Sequence, residues 1–111
     1  MMRVNAVFHI YECKKYNGHK LLDGRLLHDI KITDELIVLG NVDIKFYNCN
    51  CDKDGSLIIN DKVKYEKVQI KKIFSYGEYW ESLPSGMSAR LECYCNMENL
   101  TNLLLCKIVE M

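Results

Sequence analysis

The chain has 111 residues, 49% of them hydrophobic, and its fifteen basic residues are balanced by fifteen acidic ones. This length predicts one domain covering residues 1–111, and the apolar content is enough for a core and too high for a disordered chain. Because the charges cancel, the chain lacks the broad positive field that attracts phosphate backbones, which argues against general nucleic-acid binding.

The first half of the chain predicts strands joined by turns. Alternating apolar and polar side chains predict strands at residues 4–13 and 42–47, and the apolar run 36–39 predicts a buried strand. A further strand is predicted at residues 20–28, after a hairpin turn. Asn17-Gly18 predicts a tight hairpin turn, because both residues tolerate positive φ. Gly24 interrupts the second strand and predicts a bulge or a sharp bend there. Residues 29–35 predict a corner before the third strand.

The second half continues in the same way. The predicted strands lie at residues 57–59, 63–76, 87–95 and 103–109. The apolar residues of 63–76 fit a helix as well as a strand, and their β-branched side chains favour the strand. Residues 77–86 predict an irregular connection that holds the only proline, Pro84. Short strands at this spacing predict an all-β barrel or sandwich.

Two stretches resemble the second-domain β-barrel of the translation GTPases, the elongation factor Tu-like domain two. Residues 23–36 are similar to the family's Gly-Arg-hydrophobic run, its corner and its step into the next strand. Residues 68–73 and 82–91 are similar to a family strand and to its re-entry into the barrel. The likeness covers residues 4–109. It implies a small antiparallel β-barrel, closed or partly open, of about six to seven strands.

The chain also departs from this family. Asp29 and Thr33 stand where the family usually has glycine. No Gly-x-x-x-x-Gly-Lys-Ser/Thr phosphate-binding loop is present, so the resemblance implies a stand-alone barrel without a GTPase domain and without GTP hydrolysis.

The sequence has no pattern of a secretion signal and no run of about 18 apolar residues that would cross a membrane. We therefore expect a cytoplasmic protein with no membrane association. In a reducing compartment the six cysteines are expected to be free thiols rather than a disulfide framework.

Two Cys-x-Cys elements, Cys49/Cys51 and Cys93/Cys95, could supply four thiolates to a tetrahedral zinc ion. Structural zinc sites mostly have two to four residues between paired cysteines, so buried thiols are the alternative interpretation. Cys93 and Cys95 share strand parity with Leu91, which predicts that both face the core.

Residues 50–61 resemble a degenerate calcium-binding EF-hand loop, with Gly55 at the sharp turn. The predicted ligands of the calcium ion are Asn50, Asp52, Asp54, Ser56 and Asp61. The flanking residues predict strands rather than helices, so a solvated hairpin loop is the alternative. No other cofactor is predicted.

The region around the connection 77–86 holds three aromatic residues, Tyr76, Tyr79 and Trp80. Tyrosine and tryptophan are common anchors of protein interfaces. They also fill the mouths of barrels. We predict these three residues as an interaction site, with barrel-mouth packing as the alternative.

The function that these patterns favour is a non-catalytic binding module whose partner is another protein or a ribonucleoprotein. The alternative is a metal-binding or thiol-based regulatory protein that uses Cys49, Cys51 and the Asp52–Asp61 region. A small enzyme with a cysteine nucleophile is a third class. Cys13 and His9 share strand parity, but one histidine beside a cysteine is weak evidence, so we expect no catalysis.

Overall fold

The structure, a computed structural model, describes residues 2–39, 56–59 and 65–110. Ten β-strands and no helix form within these residues, so none of them belongs to a helix that could span a membrane. The strands are β1 (Met2–Tyr16), β2 (His19–Leu26), β3 (Ile30–Lys31), β4 (Glu35–Leu39), β5 (Ser56–Ile59), β6 (Tyr65–Ser75), β7 (Glu78–Trp80), β8 (Ser82–Leu83), β9 (Ser88–Tyr94) and β10 (Leu104–Glu110).

Six strands close a ring of hydrogen bonds in the order β10, β4, β6, β9, β2 and β1, and β1 pairs back with β10. Every pairing in this ring is antiparallel. β5 pairs with the first residues of β1, β7 adds a short strand to β6, and β3 pairs with β8 outside the ring. The predicted all-β antiparallel barrel is confirmed.

The hairpin between β1 and β2 turns at Asn17-Gly18, as predicted. Both residues have positive φ, 46° and 79°, which matches the twist that flanking strands require of a two-residue turn. Farther from the turn, β2 has Gly24 directly opposite Ile10 of β1. A β-carbon at Gly24 would overlap the carbonyl oxygen of His9, so the close approach of the two strands requires glycine.

The irregularity predicted at Gly24 is present, and the extra residue lies in β1. The register shifts between Ile10 and Glu12, which leaves Tyr11 as a bulge. Before the bulge Ile10 is in the core; after it Cys13 packs against the same core. His9 instead contacts the half-exposed ring of Tyr11, with centroids 4.8 Å apart. The prediction that His9 and Cys13 share a face is therefore wrong, because the bulge shifts the alternation.

The interior of the barrel is apolar. Its fully buried large side chains are Phe8, Ile10, Leu22, Leu26, Ile30, Leu36, Ile73, Leu91, Leu100 and Leu105. Removing each from water stabilises the fold by about 1.5–3 kcal/mol. β4 is buried on both faces, because Ile37 and Leu39 join Cys106 in a second cluster. This explains the uninterrupted apolar run of residues 36–39.

The connection after β6 is more regular than the sequence predicted. Tyr76-Gly77 forms a two-residue turn with φ of 50° and 76°, and it returns the chain as β7 along β6. β8 follows and pairs with β3. The irregular connection predicted over residues 77–86 is therefore wrong for Glu78–Trp80 and Ser82–Leu83. Tyrosine rarely adopts positive φ, so this turn lacks the usual sequence signal.

Candidate interaction surface

Three rows of side chains cross the outer surface of β1, β2, β9 and β6, and the third row extends to β7. Strand register sets these rows, because side chains directly opposite one another on paired strands point to the same side of the sheet. The first row is Tyr16, His19 and Tyr94; the second is Lys14, Leu21, Glu92 and Lys72; the third is Glu12, Asp23, Arg90, Phe74 and Tyr79. We call this surface, together with Lys71, the aromatic face.

Four aromatic rings of the aromatic face are exposed: Tyr16, Phe74, Tyr79 and Tyr94. Tyr79 is the most exposed of them at 68%, and its ring meets that of Phe74 edge-on at 5.2 Å. Tyr16, Phe74 and Tyr79 border an open groove of about 350 Å³. Its other lining residues are Leu21, Lys72, Arg90 and Glu92. This lining combines apolar and aromatic side chains with a few charged ones, as ligand-binding pockets commonly do.

Two bulges bring rings to this face. The bulge at Tyr11 moves Tyr16 outward, because the alternation of β1 would otherwise turn it inward with Ile10. A second register shift, between Ile70 and Lys72 of β6, turns Phe74 outward, because unbroken alternation would place it inside with Ile70. Strand irregularities next to functional surfaces often re-aim side chains in this way.

Asp23 and Arg90 form the strongest charged contact of the face. The Arg90 guanidinium donates from Nε to Asp23 Oδ1 at 2.7 Å and from Nη2 to Oδ2 at 2.9 Å. This bidentate hydrogen bond lowers the pKa of Asp23 and raises that of Arg90. Both groups therefore stay charged near neutral pH, and Arg90 lies opposite Phe74 in the pairing of β9 with β6.

The other two carboxylates of the face also have partners. Glu92 Oε1 lies 3.3 Å from Nδ1 of His19, and Glu12 Oε1 lies 3.7 Å from Nζ of Lys14. His19 in turn packs edge-on against Tyr94, with centroids 4.3 Å apart. No carboxylate of the face is left without a cation or an imidazole.

Lys71 and Lys72 differ from these groups because rings, not carboxylates, are their partners. Lys71 Nζ lies 5.8 Å from the ring centroid of Tyr94, and Lys72 Nζ lies 5.3 Å from that of Tyr79. Such exposed cation–π contacts are worth about 0.5–1 kcal/mol and leave the ammonium charge uncompensated. Within the described part of the chain, neither lysine has a carboxylate at ion-pair distance.

The structure separates the three residues predicted as an interaction site. Tyr79 belongs to the aromatic face. Tyr76 is 77% exposed at the tip of the β6–β7 turn. Trp80 is opposite Ile73 in the β6–β7 pairing, and its indole N–H donates to the Ser75 carbonyl at 2.8 Å. Trp80 is 38% exposed and, as the residue after Tyr79 in β7, points to the other side of that strand.

Sequence patterns missed the larger part of the face. Tyr94 could have been found, because it alternates with Cys93 and Cys95 in a predicted strand whose other side is buried. Tyr16 and Phe74 could not, since each depends on a bulge that strict alternation does not show. Lys71 lies at such a bulge.

The thiols of Cys93 in β9 and of Cys95 directly after it are shielded rather than activated. Cys93 is fully buried, as its parity predicted, and Cys95 is partly buried beside the same core. Burial raises the pKa of Cys93 to about 12 and also raises that of Cys95. Lys20 lies nearby, and its ammonium donates to the Cys95 carbonyl oxygen at 2.6 Å. A neutral thiol is a poor nucleophile and a poor metal ligand.

The metal predictions fall mainly outside the described residues. This holds for Cys49, Cys51, Asn50, Asp52, Asp54 and Asp61, whereas Ser56 begins β5. Among the residues that the structure describes, no three His, Cys, Asp or Glu side chains come together as metal ligands. The zinc and calcium sites therefore stay predictions.

Comparison with known proteins leaves the aromatic face as the basis for inferring function. No protein-family model matches the chain, and no curated protein matches it. A fold alone does not determine a function, so the chemistry of specific side chains has to indicate it.

Proposed function

We propose that this chain is a non-catalytic binding module that binds another protein through the aromatic face. The observation that carries the proposal is the group of exposed rings on one face: Tyr16, Phe74 and Tyr79 line a groove together with Arg90, and Tyr94 lies beside His19 on the same face. Tyrosine and arginine dominate the residues that contribute most to protein–protein binding. Clustered exposed aromatic side chains mark an interaction surface on a monomeric domain.

A protein fits this surface better than a nucleic acid does. The chain has no net charge, and Glu12, Asp23 and Glu92 lie among the aromatic rings. Nucleic-acid affinity comes largely from cations that replace counterions along the phosphate backbone. These carboxylates lie beside a cation or an imidazole of the face and leave few cations free to replace counterions, whereas mixed charges around an aromatic centre are ordinary at protein interfaces.

We also propose that the barrel is related to the second domain of the translation GTPases and acts in the cytoplasm. A closed antiparallel ring agrees with what that resemblance implies. The corner at residues 29–35 supports it further, because Asp34 accepts a hydrogen bond from the Lys31 N–H at 2.8 Å and holds the turn before β4. On this basis the partner is a protein that acts alone or within a ribonucleoprotein.

A paired capture experiment tests the binding role. The bait is the tagged chain, alongside Phe74→Ser/Tyr79→Ser and the control Leu27→Ser/Val109→Ser, which removes two exposed apolar side chains outside the face. Proteins captured from a lysate of the native host are quantified by mass spectrometry. Circular dichroism and urea unfolding check that all three baits are folded.

We expect at least one protein that wild type and the control enrich equally and that Phe74→Ser/Tyr79→Ser reduces to the bead background. Two hot-spot aromatic residues contribute about 2 kcal/mol or more each, enough to lower affinity more than a hundredfold. The proposal is wrong if the face variant retains every enriched protein, or if nothing exceeds the background.

A further inference from the structure

We infer that the aromatic face binds a short, extended, acidic segment of its partner protein, with one large apolar side chain of that segment in the groove. This inference rests on the proposed function and adds the chemistry of the ligand. Three properties of the face support it: its uncompensated charge, the size of its groove and its extent.

The uncompensated charge of the face is positive. The face holds four cations, Lys14, Lys71, Lys72 and Arg90, against three carboxylates, Glu12, Asp23 and Glu92, so the cations are in excess even when His19 is neutral. Lys71 and Lys72 are held over rings and keep their charge available. Charges at an interface are arranged to be complementary. The groups that complement these lysines are carboxylates on the partner.

The groove fits one side chain. Its volume of about 350 Å³ is at the lower end of ligand pockets, which begin near 300 Å³. Its apolar lining comes from Tyr16, Leu21, Phe74 and Tyr79, and its charged lining is Lys72, Arg90 and Glu92, two cations to one carboxylate. An aromatic or large aliphatic side chain flanked by carboxylates satisfies both parts of this lining.

The extent of the face favours a segment over a whole folded domain. Five strands at about 4.8 Å spacing span roughly 19 Å, and three rows two residues apart span roughly 14 Å. A rectangle of these dimensions covers about 270 Å², which is much less than the roughly 800 Å² that each partner contributes to a standard interface. An extended peptide rises about 3.4 Å per residue, so roughly six residues cross the five strands.

Three defined probes test the inference by titration into the ¹⁵N-labelled chain. The first is a twelve-residue peptide with two aromatic residues among aspartate, glutamate and glycine. The second is the same peptide with every acidic residue replaced by lysine, and the third is a twelve-nucleotide oligothymidylate. Variants Lys72→Glu and Lys31→Glu make the same charge change inside and outside the aromatic face, and both lysines are exposed strand residues.

We expect the acidic peptide to bind, with its largest amide shifts in β1, β2, β9, β6 and β7. Lys72→Glu should weaken it about fivefold or more, as expected for reversing a charge at an interface edge, and Lys31→Glu less than twofold. The inference is overturned if the lysine peptide binds as tightly, if the shifts lie elsewhere, or if the acidic peptide does not bind. Tighter binding of the oligothymidylate overturns it in favour of a nucleic acid.

These outcomes separate the inference from the proposed function. If no acidic peptide binds but the capture experiment still finds a partner that Phe74→Ser/Tyr79→Ser loses, the binding role stands and the acidic segment is wrong. If that partner is also not found, both are wrong.

Discussion

Replacing Gly24 by alanine should lower the free energy of unfolding of the barrel strongly, although it adds only one methyl group. The new β-carbon would overlap the His9 carbonyl oxygen and would lie 2.9 Å from Cζ of Phe8. The carbonyl belongs to the backbone of the neighbouring strand, so no side-chain rotation relieves the overlap. β1 and β2 must separate locally by an ångström or more.

The magnitude follows from what that separation breaks. Loss of two ladder hydrogen bonds between β1 and β2 would cost about 0.5–1.5 kcal/mol each, and loosened packing around the buried Phe8 ring a further 1–3 kcal/mol. We therefore expect Gly24→Ala to lower the free energy of unfolding by about 2–6 kcal/mol. Domains of this size have only about 5–15 kcal/mol in total.

Urea unfolding measures this change, followed by circular dichroism and by the fluorescence of Trp80, the only tryptophan. Gly18→Ala is the matched control, because Gly18 has φ of 79° but nothing within 4 Å of its β-carbon position. It should cost only about 1 kcal/mol of backbone strain. The steric explanation fails if Gly24→Ala costs no more than this control. It also fails if Phe8→Leu restores the stability of Gly24→Ala, since the side chain would then be the obstacle.

Four further predictions concern single groups. Tyr76→Asn should raise stability by about 0.5–1 kcal/mol in urea unfolding, because Tyr76 is exposed at φ of 50° and asparagine tolerates that conformation; an unchanged or lower stability would contradict this. Burial lowers the pKa of His9 from 6.5, so that on acidification the unfolded chain protonates this imidazole before the folded chain does. The free energy of unfolding should therefore fall as pH drops from about 6.5 through the folded-state pKa of His9. His9→Gln should flatten that part of the pH profile. Iodoacetamide at pH 8 should label Cys13 and Cys95 before the fully buried Cys93, as resolved by peptide mass spectrometry, and equal rates would contradict the burial of Cys93. Metal analysis of the purified chain should find neither zinc nor calcium at one equivalent, and a stoichiometric metal would instead favour the regulatory alternative.

Local chemistry made part of this fold predictable. Asn17-Gly18 specifies its turn by itself, because both residues accept the positive φ that the hairpin requires. The alternation of Ala89, Leu91 and Cys93 identifies the buried side of β9 directly. In both cases the signal lies within a few residues and needs no partner strand.

Long-range geometry explains what the sequence did not show. Tyr76-Gly77 adopts a turn that tyrosine disfavours in isolation, so pairing of β7 with β6 must compensate for the strain. The apolar residues of β6 fit a helix as well as a strand, because the register shift between Ile70 and Lys72 breaks their two-residue period. Closure of the ring through β1 and β10 joins the two ends of the chain and cannot be seen in any local window.

The same geometry ties the stability of the barrel to the proposed binding surface. Tyr16 reaches the aromatic face only because the bulge at Tyr11 shifts β1, and Gly24 lies opposite Ile10 at the edge of that bulge. Separating the strands at Gly24 removes the constraint that holds the bulge in place. A register without the bulge would turn Tyr16 toward the core and carry a different side chain to the position beside His19. Gly24 is buried and outside the face, yet its replacement should weaken ligand binding even under conditions where the chain remains folded.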